Sequence, residues 1–211
     1  MKILNLYAGI GGNRKLWGDE HDITAVEWNE ETAKVYTDYF PNDKMVVGDA
    51  HQYLLDHYKE FDFIWSSPPC PTHSNIRVAG VKRGYNKAVY PDMKLYQEII
   101  FLDKHIDDRN CKWVIENVNP YYEPLIEPSK KIDRHLYWSN FRIGNLTLDR
   151  EIRINDVSAS DVVYDFDLSA TGIKNKKKAL RNMVNPKIGL HILNAAQNII
   201  TKSNTEQGVL F

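Results

Sequence analysis

Lys2-Ile3-Leu4-Asn5-Leu6-Tyr7-Ala8-Gly9-Ile10-Gly11-Gly12 is a short apolar run that breaks into a glycine-rich turn. The run has the length and alternation of a strand. Glycines directly behind it remove side chains where a backbone must turn tightly or approach a ligand. Reading outward, the same unit recurs. Asp22 to Val26 is a second strand, stopped at Glu27-Trp28, and Asn29 or Glu30 opens a helix that runs to Phe40 and is closed by Pro41. Met45 to Val47 is a third strand ending at Gly48-Asp49, with a helix from about Ala50 to Tyr58. Phe61 to Trp65 is a fourth, stopped by Ser66-Ser67-Pro68-Pro69.

Beyond Pro69 the pattern loosens, then returns. Cys70 to about Ala88 reads as a loop rich in Gly, Arg and Lys. Asp92 to about Asp107 is a long helix with an apolar stripe at Leu95, Ile99 and Leu102. Lys112 to Ile115 is a fifth strand, ending at Glu116-Asn117, and His135 to Ser139 is a sixth. Residues 141–167 are acidic and weakly periodic, residues 174–178 read Lys-Asn-Lys-Lys-Lys, and Ile188 to Ile200 is again a helix. Strands alternating with helices predict an α/β fold with a mostly parallel sheet covered on both faces.

Composition agrees with a folded globular protein. The chain has 211 residues, 43% hydrophobic and 11% aromatic, enough for one domain with a full core. A formal net charge of -1 argues against a strongly basic DNA-coating protein, although a local basic surface can still meet phosphates. Two cysteines, Cys70 and Cys111, make neither a disulfide framework nor a four-ligand metal cluster, so no metal is expected. The apolar start is too short for a signal peptide, and no stretch has the length of a membrane span. The expectation is a soluble, cytoplasmic, monomeric protein.

Gly9, Glu27, Asp49, Cys70 and Glu116 all fall just beyond the ends of predicted strands. In an open α/β sheet that edge is where ligands bind. Glu27 can accept two bonds from ribose hydroxyls, and Trp28 offers a flat face to an adenine ring. A capping glutamate followed by a core tryptophan is the ordinary alternative. Asp49 could accept from an adenine amino group or simply cap a helix. No Gly-Lys-Ser or Gly-Lys-Thr closes the turn, which excludes a P-loop. A nicotinamide site is disfavoured by the irregular Asn13-Arg14-Lys15 that follows the glycines. Cys70 sits in a proline-stiffened loop, Pro68-Pro69-Cys70-Pro71, beside the same edge, where a nucleophile makes more sense than a buried small hydrophobe. Cys111, at the opposite edge, reads as structural.

In these residues the chain resembles the DNA cytosine-5 methyltransferases, especially short phage-type members. Asn5 to Gly12 is similar to their first motif, and Pro68-Pro69-Cys70 to their catalytic loop. Glu116-Asn117-Val118 is similar to the second catalytic motif, and Arg134 with His135-Leu136-Tyr137-Trp138 to the strand carrying a site arginine. Arg181-Asn182-Met183-Val184-Asn185-Pro186 resembles the last motif, which returns to the cofactor pocket. The resemblance implies a Rossmann-like methyltransferase fold with a seven-stranded sheet. It also implies S-adenosylmethionine as methyl donor, leaving as S-adenosylhomocysteine. The implied cofactor contacts are Tyr7, Ala8, Gly9, Gly11, Gly12, Glu27, Trp28, Asp49, Ala50, Pro68, Asn182 and Val184. Cys70, Glu116 and Arg134 are the implied catalytic residues, acting on a flipped cytosine in duplex DNA. Asn117 is expected to hold the loop backbone, and His73 to be a loop or DNA contact.

The chain also departs from that family. The interval from Asn140 to Lys174 holds only about 35 residues, too few for a separate recognition domain. Arg181 stands where a glycine usually precedes the asparagine of the last motif. Residues 1–140 are therefore expected to form the catalytic core, 141–178 a reduced recognition region, 179–200 a helix returning to the core, and 201–211 a tail. DNA grip would come from Arg77, Lys82, Arg83, Lys130, Lys131, Arg142, Lys176, Lys177 and Lys178, or specificity from a partner. Competing readings are a cytosine-5 methyltransferase of RNA, a non-catalytic partner subunit or decoy, and an NAD-dependent oxidoreductase.

Overall fold

The computed structural model describes residues 1–107, 109–148 and 163–198. Most of the acidic stretch and the expected tail lie outside the described residues. Seven strands form one sheet: β1 Lys2–Leu6, β2 Asp22–Glu27, β3 Lys44–Val47, β4 Phe63–Ser66, β5 Lys112–Val118, β6 Lys130–Ile132 and β7 His135–Ser139. Their order is β3-β2-β1-β4-β5-β7-β6. The first five pair in parallel, and β7 runs antiparallel to both β5 and β6. This is the expected α/β, Rossmann-like architecture, with a largely parallel seven-stranded sheet flanked by helices.

The helices are α1 Glu30–Tyr39, α2 Ala50–His57, α3 Asn75–Lys82, α4 Lys94–His105, α5 Lys176–Asn182 and α6 Pro186–Ala196. Caps begin them where the sequence offers short polar acceptors. Asn29 accepts from Thr32 N, Asp49 from His51 N, and Asn185 from Lys187 N. Pro186 stands at the first turn of α6, where its missing N–H is no loss.

Strand alternation sends side chains to two faces. Leu4, Leu6, Ile64 and Ile115 pack with Leu54 of α2 and Leu95, Ile99 and Leu102 of α4. Ile3, Phe63, Trp65 and Val114 pack with Ile188, Ile192 and Leu193 of α6. A third cluster joins Tyr36 and Phe40 to Phe166, Leu168 and Leu180.

Two expectations change. The segment after Cys70 is not loop throughout, because α3 occupies Asn75–Lys82. The fifth strand runs on through Val118, so Glu116 lies inside β5, opposite Tyr137, rather than beyond its end. The basic run at 174–178 feeds directly into α5. No helix among the described residues is long and apolar enough to cross a membrane.

Candidate active site and cofactor cleft

Strand order reverses between β1 and β4, whose last residues Leu6 and Ser66 are partners in register. Two loops part from this point: the glycine turn after β1 and the proline-cysteine loop after β4. A crevice at such a switch point is the expected ligand site of an open α/β sheet.

On one side, the glycine turn is tied to the end of β2. Gly9 N donates to Glu27 Oε2 and Asn29 N to Glu27 Oε1, both at 3.0 Å. Burial lifts the Glu27 carboxyl above its ordinary pKa, opposed by the N–H groups of Asn29, Gly9 and Trp28. Glu27 therefore shapes the turn, a role the sequence reading missed. Gly9 has φ +57° and open space where a side chain would project, whereas a Cβ on Gly12 would strike Met183 and the Val184 carbonyl. Gly9 thus keeps the cleft open, and Gly12 lets the segment after α5 close against the turn. Ala8 and Ala50 are buried beside it.

Trp28 is 73% exposed, which rules out the core-tryptophan alternative and leaves its ring face free. Asp49 does cap α2, and its second oxygen lies 3.5 Å from Lys94 Nζ. Asn182 is exposed at the end of α5, and Val184 is buried behind Gly12. An open glycine face, an exposed indole and a buried carboxylate at adjoining strand ends fit a nucleoside-bearing cofactor.

On the other side, the proline-cysteine loop is bound to β5. Asn117 Nδ2 donates to the buried Pro68 carbonyl at 2.9 Å, the backbone-holding role expected of it. His73 N donates to Cys70 O at 3.0 Å, and Tyr121 N to His73 O at 3.0 Å. His73 Nδ1 meets Tyr122 Oη at 2.6 Å, and the ring is 1% exposed. Of the two roles expected of His73, the structure places it as a loop anchor.

The Cys70 thiol is pushed up to about 11 by burial and then by the Glu116 carboxylate, while Arg134 and Lys178 pull it down. Three elements therefore bring charge to one sulfur: β5, the β6–β7 turn and α5. Arg134 Nη2 donates to Arg181 O at 3.2 Å, which joins that turn to α5. Buried His135 holds Nε2 3.5 Å from Glu116 Oε1, and burial lowers its pKa, so it meets Glu116 as a neutral ring. His135 stands within a quoted motif, yet no spacing in the chain announced this contact.

Several basic candidates are already engaged. Arg77 Nη2 donates to Lys87 O at 3.2 Å, Lys130 Nζ to Asn145 Oδ1 at 2.6 Å, and Lys176 Nζ to Ser169 O at 2.6 Å. Lys82 and Arg83 stay exposed.

The fold and cleft define a methyltransferase-type α/β protein, and comparison with known families narrows the class. The model of the C-5 cytosine-specific DNA methylase family matches residues 1–122, more than half of the chain, and the chain belongs to that family. Among solved structures it is similar to a mutant of DNMT2 from Spodoptera frugiperda, with 27% identity and a TM-score of 0.38 over 56% of this chain and 35% of that one. It is also similar to the methyltransferase EhMeth of Entamoeba histolytica (17%, 0.37, 56% and 38%). A third is the SAM-dependent methyltransferase of Agrobacterium tumefaciens (11%, 0.40, 58% and 40%). The chain thus spans well under half the length of these structures. No curated protein matches it.

Proposed function

We propose that the protein transfers a methyl group from S-adenosylmethionine to carbon 5 of a cytosine in DNA, through a covalent bond from Cys70. The observation that carries this reading is that Asn117, next to Glu116 on β5, holds the Pro68 carbonyl at 2.9 Å and so ties the Cys70 loop to the strand of Glu116. An oxidoreductase has no use for that arrangement, and a binding module needs none of it.

The chemistry follows from the groups. Cytosine C5 is a poor nucleophile until the Cys70 thiol, having given its proton to solvent, adds as thiolate at C6 and pushes electrons towards it. Glu116 engages N3 and the exocyclic amine and stabilises the proton that N3 gains as charge flows into the ring. Arg134 steadies the base or the adjoining backbone with its fixed fork of donors. Asn117 holds Pro68, and with it the loop, against the strand that carries Glu116. When bound, the cofactor would supply an electrophilic methyl on a sulfonium, with Glu27 and Trp28 holding its ribose and adenine. Once C5 is methylated, its proton passes to solvent and the Cys70–C6 electron pair returns to sulfur, which restores the ring. The base must leave the duplex to reach both groups.

Incubation with S-adenosylmethionine and a duplex containing 5-fluorocytosine tests this. Fluorine cannot leave C5 as a proton does, so the expected result is a covalent adduct on a denaturing gel, absent from Cys70→Ser. Competition with transfer RNA decides the substrate. An adduct formed on RNA in preference to duplex DNA would replace DNA by RNA in this reading, and no adduct on either would remove the covalent step.

A further inference from the structure

The sheet edge carries a second cluster that the cysteine chemistry does not use. Glu98, on α4, is 1% exposed, yet its carboxylate draws in three elements. Tyr7 Oη donates to Oε1 at 2.6 Å, His51 Nδ1 meets the same oxygen at 2.9 Å, and Ser66 Oγ donates to Oε2 at 2.6 Å. These partners lie 91, 47 and 32 residues from Glu98 in the chain. A carboxylate taken out of water without such donors would give up its charge. One turn earlier on α4, Lys94 reaches Asp49, the cap of α2.

The three partners are not scattered over the core. Tyr7 opens the glycine turn in a left-handed conformation, φ +55°, that a tyrosine adopts only when its surroundings hold it. His51 follows Ala50 at the start of α2, and Ser66 closes β4 two residues before Pro68. Each is at, or within two residues of, a cofactor contact named above.

We propose that Glu98 is a positioning residue of the cofactor cleft, tying the ends of β1 and β4 and the start of α2 into one geometry and linking cofactor affinity to the protonation of His51. This rests on the reading of the cleft as an S-adenosylmethionine site. The groups facing His51 are Glu98 and Lys94 from α4, Asp49 from its own helix cap, and Tyr7 through the shared oxygen. The hydrogen bond to Glu98 raises the His51 pKa, against partial burial and Lys94. The ion pair is complete while His51 keeps its proton. Affinity is therefore highest on the acid side and falls as the pH rises through that elevated pKa.

The test is calorimetric titration of the full chain with S-adenosylhomocysteine between about pH 6 and about pH 8.5. The wild-type affinity is expected to fall across this range. Glu98→Gln should bind about tenfold more weakly at the acid end and lose the pH dependence. His51→Asn should lose the pH dependence while binding within about threefold of wild type at the alkaline end. Tyr7→Phe combined with Glu98→Gln should weaken binding by less than the product of the two single effects. Wild-type affinity and pH profile in Glu98→Gln would overturn the proposal, as would a weaker binder that keeps the profile. If circular dichroism shows Glu98→Gln unfolded, His51→Asn decides alone, and a retained pH profile there overturns the linkage. Wild type that binds no S-adenosylhomocysteine at any pH overturns the cofactor reading itself. Wild type that binds, with an indifferent Glu98→Gln, overturns only the positioning role.

Discussion

Asn117 and Pro68, 49 residues apart in sequence, are joined by a 2.9 Å hydrogen bond from the Asn117 amide to the Pro68 carbonyl. Asn117 follows Glu116 on β5, and Pro68 stands two residues before Cys70. This contact ties the strand that carries the candidate base-holding carboxylate to the loop that carries the candidate nucleophile. Asn117→Ala leaves the buried carbonyl without its donor, at about 1–3 kcal/mol. Methyl transfer in a single-turnover assay should slow by about tenfold or more, with the affinity for S-adenosylhomocysteine unchanged. Equal loss of both would make Asn117 a general stabiliser instead.

The Cys70 thiol should be slow to react in the free protein. Burial and the Glu116 charge keep it protonated at neutral pH, so alkylation by iodoacetamide should climb with pH towards about 11. Glu116→Gln removes the repelling charge and should speed alkylation at pH 8 severalfold, whereas Arg134→Ala should slow it. Peptide-resolved mass spectrometry separates this thiol from Cys111, which burial and Asp62 push up to about 12. A rate indifferent to Glu116→Gln would mean that its charge does not act on the sulfur.

The glycine turn offers a contrast between two neighbouring substitutions. Gly12→Ala drives a methyl group into Met183 and the Val184 backbone, and should lower stability by about 1–3 kcal/mol, read from the thermal midpoint. Gly9→Ala meets no atom and adds only the strain of a positive φ, about 1 kcal/mol. Its main effect should be on cofactor affinity, because the new methyl projects into the open cleft.

Arg14 and Asp43 form a buried pair under the same turn. Arg14 Nε lies 2.8 Å from Asp43 Oδ2, and Tyr36 Oη donates to that oxygen at 2.7 Å. Both side chains of the pair are 3% exposed. Arg14→Ala leaves an uncompensated buried carboxylate and should cost about 3–5 kcal/mol in denaturant unfolding. A loss under about 1 kcal/mol would show that water reaches Asp43 readily.

The exposed cations after Cys70 make a separable prediction. Lys82→Ala with Arg83→Ala should weaken duplex binding and flatten its salt dependence by about one to two units of slope, as phosphate contacts do. Affinity for S-adenosylhomocysteine should not change. An unchanged slope would place the nucleic acid elsewhere on the surface.

Much of the cleft was legible along the chain because strand ends carry their own punctuation. The glycine turn, Glu27-Trp28, Gly48-Asp49 and the proline-cysteine loop all stand where the structure places strand ends, and the caps Asn29 and Asp49 were visible as short polar acceptors. Helix α3 was not legible. No residue in it is buried, so it has no apolar stripe, and Gly80 together with β-branched Ile76, Val78 and Val81 weakens its local preference. Strand β6 is three residues long, and only Ile132 is buried, which resembles a charged loop until β7 pairs with it. Glu98 looked like one polar position on an amphipathic helix, and nothing local marks it as the meeting point of three loops.

Period, punctuation and motif order by themselves determined the succession of strands and helices, the sheet edge at which the polar residues gather, and the family resemblance. These are local properties, carried by side chains within a few residues of one another. Tertiary structure alone decided that Glu98 collects Tyr7, His51 and Ser66, that His135 faces Glu116 as a neutral ring, and that Glu27 holds the glycine turn. Such contacts close loops of tens of residues, and their energy depends on which groups lose water together when the sheet assembles. No window of sequence contains that information, because a buried carboxylate and its donors become partners only after the chain has folded around them.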